Sequence, residues 1–110
     1  MSDRLRKHAN TLQLLLKNKS KVNNVVIENA DRDLISCLCE CAFNVLKGNV
    51  PLTRPQKRRL ARHKQGLRAL TASKTSSKSK RKVLQTGGFL PALLAPVLSF
   101  VGPLLSKIFG

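Results

Sequence analysis

Residues 31–48 read Asp31-Arg32-Asp33-Leu34-Ile35-Ser36-Cys37-Leu38-Cys39-Glu40-Cys41-Ala42-Phe43-Asn44-Val45-Leu46-Lys47-Gly48, and this stretch decides the fold class. Leu34, Leu38, Cys41 and Val45 recur at helical spacing and share one face, which Ile35, Ala42 and Leu46 widen. The segment begins near Asp31 and closes with Gly48 after Lys47, the C-terminal signature of a helix that ends in glycine behind a basic residue. An all-α fold follows.

Working outward, residues 2–17 form a second amphipathic pattern. Ser2 is a candidate N-cap, and Leu5, Ala9, Leu12 and Leu16 mark the apolar stripe. Lys17 to Lys21 interrupt it, and Val22, Val25 and Val26 suggest another short helical piece. Downstream, Thr53 and Gln56 have capping-box spacing, with Pro55 tolerated in the first turn. Leu60, His63, Leu67 and Leu70 then give a narrow apolar arc, while Arg54, Lys57, Arg58, Arg59, Arg62, Lys64 and Arg68 take most of the remaining circumference. Gly66 costs about 1 kcal/mol relative to alanine in a helix, so the last turn is expected to fray. The expected body is residues 1–70, three to four short helices with the basic face outside.

Composition changes abruptly after Leu70. Residues 71–83 are a Ser/Thr/Lys-rich run with too little apolar surface to repay ordering. Residues 71–86 are therefore expected to be a disordered basic linker. It carries Lys78, Lys80, Arg81 and Lys82, a cluster of the nuclear-localisation type.

Residues 87–110 have different chemistry, because only Ser99, Ser106 and Lys107 are polar after Gly88. The uncharged run from Phe89 to Leu105 sits at the low edge of membrane-spanning length. As a helix, it presents Phe89, Leu90, Leu93, Leu94, Val97, Leu98, Phe100, Val101, Leu104, Leu105, Ile108 and Phe109 as candidate membrane-contacting residues. Ala92, Ala95, Ser99, Gly102 and Ser106 make a small-residue face that allows close packing and self-association. Pro96 and Pro103 would bend this helix. The body is expected to offer too little apolar surface to cover the tail, which argues for membrane interaction.

Charge is strongly segregated. The formal charge is +16, yet all five acids (Asp3, Glu28, Asp31, Asp33 and Glu40) lie in the first 40 residues. Seven Lys or Arg accompany them there, for a net +2, whereas residues from Cys41 onward hold fourteen Lys or Arg and no acid. Such an excess repels itself unless a polyanion neutralises it, so nucleic acid or an anionic membrane is the expected partner. The candidate phosphate contacts are the seven cations of residues 54–68 together with Lys78, Lys80, Arg81 and Lys82. The chain has no Trp or Tyr and three of its four Phe lie in the tail, so base stacking is not expected. Binding should be phosphate-directed, salt-dependent and tolerant of sequence.

The same inventory argues against an enzyme. The acids are confined to the N-terminal third, there is no phosphate-binding glycine-rich loop, and only His8 and His63 are present. Cys37, Cys39 and Cys41 alternate along a helix and cannot share one tetrahedral metal, so they read as reduced core residues and no metal or cofactor is expected. No apolar run opens the sequence, so no secretory signal is expected.

At the boundary between basic and apolar segments stands Gln85-Thr86-Gly87-Gly88-Phe89. On the residues alone this is a hinge. With Lys78–Lys82 before it and Phe89-Leu90-Pro91-Ala92-Leu93-Leu94 after it, residues 78–105 resemble the precursor of adenovirus core protein X (mu). Leu46-Lys47-Gly48-Asn49-Val50-Pro51-Leu52-Thr53, followed by Lys57-Arg58-Arg59-Leu60, is similar to small basic core proteins of the polinton and adintovirus group. The resemblance implies a virion core protein acting on double-stranded DNA in the host nucleus. It also implies cleavage by an adenovirus-type maturation protease at Gly87-Gly88-Phe89, although that protease family favours an apolar residue where this chain has Gln85. The freed tail is similar to short amphibian-skin membrane-disrupting peptides. A tail-anchored or pore-forming protein whose basic segment contacts anionic lipid is the competing expectation.

Overall fold

Helices form wherever the apolar pattern has a 3.6-residue period and a cap begins it. In the computed structural model, residues 3–86 and 88–109 are described, apart from the side chains of Ser20 and residues 101–109. All the described secondary structure is helical: α1 (Asp3–Lys7), α2 (Ala9–Lys17), α3 (Ser20–Glu28), α4 (Arg32–Leu46), α5 (Arg54–Ala61), α6 (Lys64–Thr71), α7 (Ser77–Thr86) and α8 (Leu90–Phe109). The expected all-α class holds, but residues 3–71 contain six helical segments rather than three or four. The expected cap at Ser2 lies outside the described residues.

The central element is α4. Asp31 caps it by accepting from the Leu34 N–H at 2.8 Å. Gly48, at φ +78°, lets the chain reverse behind it. The Gly48 N–H donates to the Val45 carbonyl and the Asn49 N–H to the Asn44 carbonyl, so two orphan carbonyls at the helix end are satisfied. Leu34, Ile35, Cys37, Leu38, Cys41, Ala42 and Val45 are all buried, while Leu46 turns outward. α4 packs against α1, α6, α7 and α8, which makes it the element around which the others are laid.

Two local expectations change when tertiary packing is added, and the helical piece expected around Val22, Val25 and Val26 forms as α3. The stripe of residues 2–17 is divided at His8, and Leu15 rather than Leu16 is fully buried. In α3 the core face is Asn23 and Ile27, whereas Val22 and Val25 are exposed. Asn23 wins that position by polarity: its Nδ2 donates to the Leu15 carbonyl at 2.7 Å and to that of Asn18 at 3.4 Å, tying α3 to the end of α2. The capping box forms as read, with Thr53 and Gln56 bonding each other's backbone. However, the basic helix breaks at Arg62–His63, where the His63 N–H reaches the Leu60 carbonyl in a tighter turn. The break lets α5 lie on α8 while α6 lies on α4 and α7.

The largest correction concerns residues 77–98. The segment expected to be a disordered linker contains α7, which packs on α3 and α6. Ser76 starts it, its Oγ accepting from the Ser79 N–H at 3.1 Å. Leu84 is buried, and Arg81 and Gln85 anchor the helix to α3. The chain then turns at Gly88, φ +66°, where α7 and the first half of α8 meet at 97°.

Nor is the apolar tail separate from the body. Phe89, Leu90, Ala92, Leu93, Leu94, Val97 and Leu98 are buried, against α2, α4 and α5. Each Leu, Val or Phe removed from water stabilises by about 1.5–3 kcal/mol, so a free tail is the costlier arrangement in water. The body does offer enough apolar surface, because α2, α4 and α5 together form the bed on which these residues are buried. A radius of gyration of 13.0 Å equals the value of about 13 Å for one compact domain of this length. Among the described residues, no single helix is long and apolar enough to cross a membrane.

Candidate nucleic-acid interface

The acids are all placed before α5, and nearly all are engaged. Asp33 accepts from His8 Nε2 at 2.7 Å and pairs with Arg4 at 3.2 Å and Lys7 at 3.3 Å. The hydrogen bond from His8, with those from Lys7 and Arg4, pulls its carboxyl down to about 2 despite some desolvation. Asp3 pairs with Arg6, Glu28 accepts from Gln85, and Asp31 caps α4. Lys17, Lys19, Lys21 and Arg32 form no ion pair among the described residues, but the cations of α1 are thereby paired within the fold.

The C-terminal cations are not. Arg54, Lys57, Arg58, Arg59, Arg62, Lys64, Arg68, Lys78 and Lys82 are exposed, and none has an ion-pair partner among the described residues. They lie on three successive helices because Leu60, Leu67, Leu70 and Leu84 point inward from those helices and leave the basic arcs outside. Arg54, Arg58 and Arg62 are each a helical turn apart, as are Lys78 and Lys82.

Two of the expected phosphate contacts are placed differently. Arg81 is half-buried and donates from Nη1 to the carbonyls of Ile27, Glu28 and Ala30, at the end of α3. It serves as a C-cap for another helix and has little capacity left for a phosphate. Lys80 is half-buried near Cys39.

The helix break creates a concavity. An open cleft of about 590 Å³ lies beside it, lined by Arg62, His63, Lys64 and Arg68 on one side and by Val83, Thr86 and Phe89 on the other. No acidic residue lines it. The His63 and Phe89 rings are 5.6 Å apart, tilted by 37°. Sequence reading missed this feature, because its walls come from segments twenty residues apart.

The candidate cleavage segment is not presented as an extended strand. Gly87 lies outside the described residues, but Phe89 is 1% exposed and Leu90 already begins α8. A protease acting after Gly88 would require α8 to leave the core first. Of the candidate membrane residues, Phe89, Leu90, Leu93, Leu94, Val97 and Leu98 are core, and Phe100 is 40% exposed. The side chains of Val101, Leu104, Leu105, Ile108 and Phe109 lie outside the described set.

The cysteines belong to the interior. Cys37 and Cys41 are fully buried one turn apart on α4, and Cys39 is half-buried. A hydrogen bond with Cys37 and burial push the Cys41 thiol far up, and burial likewise raises Cys39. Among the described residues, no three His, Cys, Asp or Glu side chains gather into a metal site.

Comparison of the chain with protein-family models, with curated proteins and with solved structures gives no match.

Proposed function

We propose that this protein neutralises nucleic acid by holding an unpaired array of cations against the phosphate backbone. One observation carries the reading: nine exposed Lys and Arg on α5, the helix break, α6 and α7 have no acid beside them, while the cations of α1 are paired internally. Unpaired charges on a helical surface attract a polyanion and release its counterions. The lack of Trp and Tyr favours backbone binding without base readout. The setting suggested by the resemblance, packaged double-stranded DNA in a virion core and the host nucleus, suits such a protein. The maturation protease that the resemblance implies would act on chains whose α8 has left the core.

Membrane activity of residues 89–110 remains part of the proposal with one condition added. The burial of Phe89 to Leu98 means that α8 must undock before its apolar face can meet lipid.

Titration of duplex DNA against salt tests the main reading. With six to eight phosphates engaged, the slope of log K against log salt should be about −5 to −7. A flat response would overturn it.

A further inference from the structure

The cleft at the helix break is concave and carries charge on one side only. Arg62, Lys64 and Arg68 line it from α5–α6, each of them exposed, with no acid among the lining residues. The facing wall offers an anion nothing: Val83 is apolar, Phe89 is apolar and buried, and the Thr86 hydroxyl already donates to the Lys82 carbonyl at 2.8 Å. Whatever enters must present its charge to the α5–α6 side and be narrow enough to fit in front of α7. A volume of about 590 Å³ corresponds to a cube about 8 Å on an edge. That is too small for a duplex, whose major groove alone is about 12 Å wide. The other cations meet no such barrier, because Arg54, Lys57, Arg58, Lys78 and Lys82 lie outside the cleft lining.

Resting on the proposed nucleic-acid function, we propose that this cleft receives the end of a strand, a terminal phosphomonoester, while the cations outside it take the continuous backbone. Two properties separate an end from the interior. A phosphomonoester carries about −1.5 to −2 charge at neutral pH and three free oxygens, more than the single charge of an internal phosphodiester. It also hangs from the strand by one oxygen, so it can enter a concavity that backbone continuing on both sides cannot. Two Arg and one Lys with no competing acid suit the higher charge, since hydrogen bonds between ionised groups are the strong ones. The protein then recognises ends as well as length, and short phosphorylated fragments are bound more tightly per phosphate than the interior of long ones.

The test measures binding of the full chain, at low salt, to two blunt DNA duplexes of one sequence and length, one with 5′-phosphates and one with 5′-hydroxyls. The phosphorylated duplex should bind about fivefold more tightly, the effect of one added charge at contact distance in water. Arg62→Gln/Lys64→Gln/Arg68→Gln should weaken binding of both duplexes and abolish the difference between them. Arg54→Gln/Lys57→Gln/Arg58→Gln, which removes equal charge outside the cleft, should weaken both and keep the difference. All six positions are exposed, so neither variant disturbs the core. Equal affinity of the native chain for the two duplexes, or a difference that survives in both triple variants, would overturn the strand end as the ligand. Inorganic phosphate that erases the difference at the concentration of the duplex itself would overturn it too, by showing that the cleft takes a free anion. Absence of salt-dependent binding to either duplex would instead overturn the proposed function beneath it.

Discussion

Gly66 of α6 and Phe89 at the start of α8 are fitted to each other, with the space a Cβ would need at Gly66 lying 2.9 Å from the Phe89 ring. Glycine inside a helix costs about 1 kcal/mol relative to alanine, so on propensity alone Gly66→Ala should stabilise. The ring it would strike is 1% exposed and lies 5.6 Å from the His63 ring, so making room moves it from its seat against α6. Overpacking of that kind costs about 1–3 kcal/mol. The clash should win, lowering Tm and speeding amide exchange in residues 89–98. A higher Tm with unchanged exchange would show that Phe89 is not seated against α6.

Arg81 and Lys78 belong to one basic cluster in the sequence but should respond oppositely. Arg81→Met removes a charged donor from three carbonyls and should cost about 1.5–3 kcal/mol in denaturant unfolding, with little change in the salt slope of DNA binding. Lys78→Gln should leave stability nearly unchanged and reduce the magnitude of that slope by about 0.9. The two measurements together separate the structural cation from the binding one.

Asp33 gives the fold an acid-sensitive point. Its carboxyl is lowered from 3.8 to about 2, chiefly by the hydrogen bond from His8. A depressed carboxylate contributes stability that is complete above its unfolded value and is lost as pH falls through the folded value. Asp33→Asn should therefore lower Tm at pH 5, and the gap from the native chain should close between pH 3.8 and about 2. A gap that stays constant across that window would mean the carboxylate is not held by His8, Lys7 and Arg4.

Thiol labelling should report the core directly. Cys37 and Cys41 are buried and Cys39 is half-buried, with burial pushing the Cys39 and Cys41 thiols upward. Under native conditions near pH 7.5, Cys39 should label slowly and the other two only at the rate of unfolding. Rapid labelling of all three would contradict the placement of α4 at the centre.

Local signals were legible and long-range ones were not. The Asp31 start, the Gly48 stop and the Thr53–Gln56 box depend on residues three to five apart, and each forms where the sequence places it. Unpaired cations on α5 and α6 had to face water, so their exposure could also be read. The ordering of α7 could not, because it depends on Arg81 reaching carbonyls more than fifty residues earlier. Asn23 displaced two valines from the core of α3 for a similar reason: the carbonyl it satisfies belongs to another helix. The docking of α8 was invisible because the faces it covers on α2 and α4 become neighbours only in the folded chain.

That α2–α8 contact joins the two ends of the described chain, and it has a kinetic consequence. Helical proteins usually fold quickly because most contacts are local. Here the closing step must bring together segments separated by nearly the whole polypeptide, with the loop entropy this entails. The central pair of α4 and α6 can assemble first, leaving an apolar helix uncovered until the final docking event. Refolding should be slower than helix content alone suggests, and aggregation during it should rise steeply with protein concentration.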